Sequence, residues 1–412
     1  MYQIRSGYFD LTFMGEKKME LSEKTKSLLS GSSVIRKLFE EGTEMAKKAG
    51  AENVFDFSLG NPCVEPPAKV KESIIRLVKE CSSQYLHGYM KNAGYDEVRS
   101  AVASSLNERF GMNYSLNNIV MTAGAAGGLN CIFRSFLNPG DEVACFAPFF
   151  GEYRNYVSSA GGNLVPIPAD TKTFQPNLAE LDKYINGKTK IILLNNPNNP
   201  TGVIYSADTY KRLAKIISAA EKRIGHELCV VSDEPYRELA YDGAAVPYLP
   251  KFIKNSIVAY SFSKSLSLPG ERIGYLAVTP DMSDAGAVAG GIIVALRIGY
   301  VNAPSMFQLV IKDCLEEKVD LEFYDTNRKC LYEGLTKLGF TCVKPEGAFY
   351  LFVKSPVADE SEFVAEGKKH NLLMVPASSF GCPGYVRLAY CIPYDKVKRS
   401  LNAFAELAKK YF

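Results

Sequence analysis

The run Ile257-Val258-Ala259-Tyr260-Ser261-Phe262-Ser263-Lys264, continuing to Pro269-Gly270-Glu271-Arg272, joins an apolar stretch to two hydroxyls, an amine and a guanidinium. Its β-branched and aromatic residues predict a buried strand. A lysine at the end of such a strand sits partly out of water. Desolvation disfavours the ammonium form, which is what a nucleophilic, Schiff-base-forming amine needs. Ser261, Ser263 and Arg272 form a set suited to a phosphate. Taken singly, Lys264 and Arg272 would read as solvent-facing charges, as most lysines and arginines are.

Other stretches add matching chemistry. Thr122-Ala123-Gly124-Ala125-Ala126-Gly127-Gly128 turns from a strand into a helix, whose free N–H groups suit an anion. The apolar run 190–194 stops at Asn195-Asn196-Pro197-Asn198-Asn199-Pro200-Thr201-Gly202, and the run 228–232 stops at Asp233-Glu234-Pro235-Tyr236. In a parallel sheet, ligands sit outside the carboxyl ends of the strands. These polar ends together meet the needs of one ligand. Gly124, Ala125, Ala126, Ser261, Ser263 and Arg272 would take a phosphate. Asp233 would hold a protonated ring nitrogen, Tyr236 and Asn199 would hydrogen-bond a phenolic oxygen, and Lys264 would bond an aldehyde carbon. That ligand is pyridoxal 5′-phosphate (PLP).

The elements that must position these residues alternate strand, polar turn and helix from 118 to 278. This predicts an α/β sheet covered on both faces. Residues 34–49 read as a helix capped by Ser32 or Ser33, 53–59 as a strand, 68–80 as a helix, 85–94 as a loop and 95–110 as a helix. Helices are also expected at 177–185 and 207–224. Residues 304–338 read as one long or bent helix, a bridge between lobes. The tail, with strands at 348–353 and 385–390 and helices at 361–370 and 394–411, reads as an α+β second lobe. Residues 1–30 read as an arm, mobile or embracing a partner.

The chain has 412 residues, 47% hydrophobic and 23% charged, enough for a large core and two lobes. A net charge of +3 without a basic block gives no case for nucleic acid. Ten dispersed cysteines and 3 histidines, with no pairing at zinc spacing, argue against a metal site and for a reducing, cytoplasmic setting. No signal peptide is evident, and no apolar run is long enough to span a membrane.

The sequence resembles the fold-type I, class I and II aminotransferases related to aspartate aminotransferase. The resemblance runs from Phe57-Ser58-Leu59-Gly60-Asn61-Pro62 to Tyr385-Val386-Arg387-Leu388, and its motifs are Asn199-Pro200-Thr201-Gly202, Asp233-Glu234-Pro235-Tyr236 and Ser261-x-Ser263-Lys264 with Arg272. It implies a large domain with a mainly parallel seven-stranded sheet flanked by helices, and a smaller α+β domain built from both termini. The corresponding divisions are 1–60 for the arm and part of the small domain, 61–315 for the large PLP-binding domain and 316–412 for the small C-terminal domain.

The resemblance also implies roles. Lys264 is the Schiff-base lysine and proton shuttle, and Asp233 is the partner of the pyridinium nitrogen. Tyr236 and Asn199 contact the ring oxygen. Phe150 stacks on the ring, although the chain has no Trp and Phe149 competes for that part. Tyr89 reaches the neighbouring subunit's phosphate, which requires a homodimer with shared active sites. Arg387 pairs with the substrate α-carboxylate through a bidentate fork. Gly60 brings backbone close to that carboxylate. Arg297, in Arg297-Ile298-Gly299-Tyr300-Val301-Asn302-Ala303-Pro304, either reads a distal substrate carboxylate across the dimer or makes an ordinary loop ion pair.

The implied reaction is ping-pong transamination from an L-amino acid, with aspartate and glutamate among the candidates, to a 2-oxo acid. A same-fold rival is a PLP lyase performing β-elimination, of the C–S lyase kind. A rival of another class is an effector-sensing regulator, which would need a DNA-binding module that the roughly 50 residues before Phe57 leave no room for. A nucleotide-binding module at Gly124 lacks the full G-x-G-x-x-G pattern.

Overall fold

The computed structural model describes residues 19–30 and 34–412. Most of the expected arm, and the expected serine caps at 32 and 33, lie outside the described residues. Among the described residues, thirteen strands form three sheets: β1 (Phe55–Asp56), β2 (Ile119–Thr122), β3 (Glu142–Phe146), β4 (Asn163–Ile167), β5 (Thr189–Asn195), β6 (Cys229–Asp233), β7 (Ser256–Ser261), β8 (Gly274–Val278), β9 (Cys342–Val343), β10 (Tyr350–Lys354), β11 (Leu372–Leu373), β12 (Val375–Pro376) and β13 (Tyr385–Ala389).

The large sheet has the order β2-β8-β7-β6-β5-β3-β4. It is parallel except for β8, which runs antiparallel to both β2 and β7. The strands are apolar throughout because both faces are covered. Helices Gly124–Phe136 and Ala285–Gly299 pack on one face, with Leu129, Ile132, Phe133, Ile292 and Leu296 against Val143, Val231, Ile257 and Leu276. Helix Ala207–Ile224 covers part of the other, inserting Tyr210, Leu213 and Ile217. It starts where the Ser206 hydroxyl accepts from the Thr209 N–H at 3.0 Å, and it stops at Gly225, whose φ of 80° suits a residue without Cβ. Each fully buried Leu, Ile or Phe here contributes about 1.5–3 kcal/mol relative to exposure.

The smaller part is built from both ends of the chain. Its four-stranded antiparallel sheet has the order β12-β13-β10-β9, and β1 pairs in parallel with β11, Phe55 opposite Leu372. Its core, including Tyr324, Leu331, Phe349, Leu351 and Phe404, also takes in Tyr236 and Leu239 from just beyond β6.

Four expectations are corrected. The region 304–338 is two helices, Ser305–Asp313 and Leu321–Lys337, and the Asp320 side chain caps the second by accepting from the Phe323 N–H at 3.1 Å. The strand expected at 53–59 is only Phe55–Asp56. It ends where the Asp56 carboxylate accepts from the Ser58 N–H at 2.8 Å and the Ser58 hydroxyl at 2.6 Å, a side-chain turn that competes with the ladder. The loop at 85–94 begins inside a short helix, Ser83–His87. The helix at 177–185 is one α turn, Leu178–Leu181, running into a 3-10 turn, Asp182–Tyr184. Helices Tyr153–Ser159 and Ala285–Gly299 carry no counterpart among the expectations.

Among the described residues, no helix is long and apolar enough to cross a membrane, and no three His, Cys, Asp or Glu side chains are grouped to hold a metal ion.

Candidate active site

Adjacent strands β5, β6 and β7 bring three polar ends side by side: Asn195 is in register with Asp233, and Asp233 with Ala259. Past them lies a cavity of about 380 Å³. Gly60, Ala125, Ala126, Phe150, Asn199, Asp233, Tyr236, Ser261, Ser263, Lys264, Arg272 and Arg387 all line it.

Lys264 is not on the strand itself. β7 ends at Ser261, and Lys264 sits on the single helical turn Phe262–Ser265, which the Ser261 hydroxyl caps by accepting from the Ser263 N–H. That turn aims the amine at the amino-terminal segment, where Nζ donates to the Gly60 carbonyl at 2.7 Å. Burial pulls the Lys264 ammonium down to about 8, and the neighbouring cations Arg272 and Arg387 add to the effect.

Asp233 ends β6 and is buried at the wall of the cavity. Burial pushes its carboxyl up to about 7, against the Tyr153 hydroxyl, which donates to Oδ2 at 2.5 Å. Oδ1 is buried and has no hydrogen-bond partner among the described residues. The next residue, Glu234, is structural: its carboxylate accepts from Arg237 Nε at 2.5 Å and the Ser232 hydroxyl at 2.7 Å, fixing the turn that carries Tyr236.

Arg387 comes from β13 and is 1% exposed. Its Nη1 donates to Asn199 Oδ1 at 3.1 Å and its Nη2 to the Ser58 carbonyl, while Nε is buried without a partner among the described residues. With Oδ1 occupied, Asn199 presents its NH₂ as the free donor. The guanidinium lies 4.6 Å from the Tyr350 ring centroid and 5.0 Å from that of Phe380.

Ala125 and Ala126, which line the same cavity, sit in the first turn of helix Gly124–Phe136, whose N–H groups have no intrahelical acceptor. The Ser261 and Ser263 hydroxyls are 2.8 Å apart beside them. Arg272 has a left-handed backbone, φ 52°, unusual for a residue with a Cβ. Gly124 does not line the cavity, but a Cβ there would stand 2.9 Å from Arg272 Nη2. The glycine is what lets the guanidinium lie against the helix start.

Between Phe149 and Phe150, the cavity contains only the second; Phe149 is buried against Arg154, whose guanidinium lies 4.8 Å from its ring. Tyr89 is 92% exposed and Arg297 lies exposed in the last turn of its helix; neither lines this chain's cavity. The expected place of Tyr89, and of Arg297 in one of its two readings, is a neighbouring subunit's site. The sequence reading missed Tyr153, Tyr350, Tyr156, Asn195 and Glu152, which also line the cavity. For Tyr153 the available signal was its place three residues after Phe150, on the turn that enters the cavity.

The donor set fits PLP on the observations of orphaned and unsatisfied groups. A buried carboxylate oxygen without a partner matches a cationic ring N–H, and paired hydroxyls, a helix start and a guanidinium match a phosphate.

The family model for "Aminotransferase class I and II" matches residues 52–404. An aspartate aminotransferase of Thermotoga maritima is 30% identical over 391 residues, covering 94% of each chain. Aromatic-amino-acid aminotransferase 2 of Thermococcus litoralis is 29% identical over 413 residues, covering 95% of this chain and 99% of the relative. The crystal structure of an amino transferase from Eubacterium rectale superposes with a TM-score of 0.93 at 43% identity, over 96% of this chain and 100% of that one. A match over this much of the chain, joined to a lysine, a carboxylate and two guanidinium groups converging on one cavity, makes the chain a PLP-dependent enzyme of the class I and II aminotransferases.

Proposed function

We propose that this enzyme transfers the amino group of an L-amino acid to a 2-oxo acid by a ping-pong route in which Lys264 is both the covalent anchor of PLP and the proton carrier. The observation that carries the reading is the shared enclosure of the half-buried Lys264 amine, the partnerless Asp233 Oδ1 and the partnerless Arg387 Nε in one cavity. Bound PLP would supply an electron sink for the pair left when the substrate Cα–H bond breaks.

The residues divide the remaining work. Asp233 would hold the ring nitrogen in its protonated form, and Tyr153 would fix the rotamer of that carboxylate. Tyr236 and the Asn199 NH₂ would donate to the ring oxygen, and Phe150 would lie against the ring. Ser261, Ser263, Arg272 and the helix start at Gly124–Ala126 would hold the phosphate. Arg387 would take the α-carboxylate in a two-bond fork, its Nε completing what Asn199 and Ser58 leave open. This grip would fix the Cα–H bond close to Lys264. Once substrate has displaced the amine, Lys264 Nζ would take that proton and return it to the carbon it formerly held. The first product would then leave before the second substrate enters.

Acidic and aromatic donors both remain within this reading, because the relatives' names include both kinds. Residues 1–60, 61–315 and 316–412 are proposed as arm with part of the small domain, large domain and small domain. The assembly is proposed as a cytoplasmic homodimer in which Tyr89 and Arg297 serve the neighbouring site, without nucleic-acid or membrane partners.

The test mixes the PLP-loaded protein with single amino acids and follows the visible absorbance of the cofactor, then restores it with 2-oxo acids. Lys264→Ala should lose turnover by on the order of 10³-fold or more. Retained turnover in that variant would overturn the scheme. Pyruvate and ammonia released from one amino acid with no acceptor present would favour the lyase.

A further inference from the structure

Tyr350 opens β10 and is paired with Ala389 of β13, in a register that puts Phe352 opposite Arg387. Residues two apart share a face of a strand, so Tyr350 is the diagonal neighbour of Arg387, a separation that long side chains bridge. They do so here: the guanidinium stands 4.6 Å from the Tyr350 ring centroid. At the other end of the ring, the Tyr350 hydroxyl is 2.7 Å from that of Tyr236, and the two rings meet edge to face at 80°. The same hydroxyl occupies the space a side chain at position 60 would need, since a Cβ on Gly60 would stand 2.2 Å from it. Tyr350 is 2% exposed and faces the cavity.

We propose that Tyr350 is a positioning residue that joins the ring-binding Tyr236 to the carboxylate-binding Arg387 and sets how strongly Tyr236 donates into the cavity. This rests on the function proposed above. Two phenols share one hydrogen bond, and the direction of donation decides what Tyr236 can do. Tyr236 has one hydrogen to give: once an anionic ring oxygen in the cavity takes it, the Tyr236 oxygen can only accept, so across 2.7 Å Tyr350 is then the donor of the shared bond. A hydroxyl that accepts one hydrogen bond becomes a stronger donor in the next. Gly60 is the residue that makes room for this arrangement.

Two substitutions separate the two contacts. Tyr350→Phe removes the donor and keeps the ring beside Arg387; Tyr350→Leu removes both. With PLP bound, weaker donation to the ring oxygen disfavours its anionic, high-pH form. Tyr350→Phe should therefore raise the pH midpoint of the cofactor's visible absorbance by about half a unit, while KM for the amino donor stays within about twofold. In a Tyr236→Phe background the same substitution should add no shift. Tyr350→Leu should also raise KM about fivefold, as Arg387 loses the nearer of its two aromatic partners. An unmoved midpoint in Tyr350→Phe, or an equal shift with and without Tyr236, overturns the proposal. If Tyr350→Phe does not fold, Gly60→Ala displaces the hydroxyl instead; it should move the midpoint upward, and an unmoved midpoint there overturns the proposal as well. A wild-type protein with no PLP absorbance to titrate would sink the parent reading, whereas a titrating wild type beside an unmoved variant sinks only the role of Tyr350.

Discussion

The Lys264 amine and the Gly60 carbonyl, 204 residues apart in sequence, meet at 2.7 Å. Neighbouring carbonyls of the same segment serve other side chains: Ser58 accepts from Arg387, and Leu59 accepts from the Cys391 thiol at 3.7 Å. A short irregular stretch after β1 therefore touches both the amine and the carboxylate-binding guanidinium, and any shift of it reaches both.

The enclosed setting of Lys264 has a direct consequence for pH. With its ammonium pulled down to about 8, the folded chain binds fewer protons there than the unfolded chain between about pH 8 and 10.5. Stability thus rises with pH across that window, and the contribution is lost as pH falls through about 8. The reactive fraction follows the same titration. Capture of added PLP by cofactor-free protein should accelerate about tenfold per pH unit up to about 8 and level off above it. Stopped-flow absorbance from pH 6 to 10.5 checks this. A rate still climbing at pH 10 would mean that the amine is solvated like any surface lysine.

Asp233 works in the opposite sense. Its carboxyl is pushed up to about 7 from 3.8, so without cofactor the folded chain binds more protons than the unfolded one between those values. Stability falls as pH rises across that window, because a buried carboxylate with a partnerless oxygen must ionise. Asn at this position keeps an acceptor for Tyr153 and removes the ionisation. Cofactor-free Asp233→Asn should be more stable than wild type at pH 8, by at most about 4 kcal/mol, and close to it at pH 4. Its turnover should nonetheless fall on the order of 10²-fold or more, since the ring nitrogen loses its anion. Urea unfolding at the two pH values and steady-state rates decide it. Equal stability differences at both pH values would contradict the assignment.

Much of the site was readable because its residues end strands. An apolar run that stops at Asn-Asn-Pro-Asn-Asn-Pro, or at Asp-Glu-Pro-Tyr, announces both a strand end and a polar cluster, and the cavity lies where those ends meet. Tyr350 was hidden because its neighbours Phe349 and Leu351 are aromatic and apolar, and Tyr153 because a tyrosine between Glu152 and Arg154 ends no apolar run. The partner of Tyr153 is Asp233, 80 residues away, and that of Tyr350 is Tyr236, 114 residues away. Only tertiary packing reveals what their hydroxyls do. The break between helices 305–313 and 321–337 was missed because apolar spacing continues on both sides of it. The Asp320 cap is a common residue that acquires meaning only once its carboxylate turns back on Phe323.

Exposed apolar groups offer a test of the proposed dimer. Val294 and Ile298, one helical turn apart on Ala285–Gly299, are 47% and 72% exposed, and Arg297 lies on the same turn. Ile298→Glu should shift the protein toward monomer in sedimentation equilibrium, because a charge has no partner in an apolar interface. If Tyr89 completes the neighbouring phosphate site, the monomer should also lose PLP more readily. A variant that stays dimeric and holds PLP as tightly as wild type would remove this helix from the interface.

Arg387→Lys provides the sharpest separation of binding from chemistry. The guanidinium is spread between Asn199 Oδ1 and the Ser58 carbonyl with Nε open, a fork that an ammonium cannot reproduce. Losing a buried, hydrogen-bonded charge contact costs about 2–5 kcal/mol. KM for amino acids should therefore rise on the order of 10²-fold. The control is a matched amine lacking the α-carboxylate. Wild type should strongly prefer the amino acid over that amine, and the variant should lose most of the preference while its rate with the amine stays near the wild-type rate. If the variant keeps the full preference, the α-carboxylate is held elsewhere, and Arg387 is a structural cation packed between Tyr350 and Phe380.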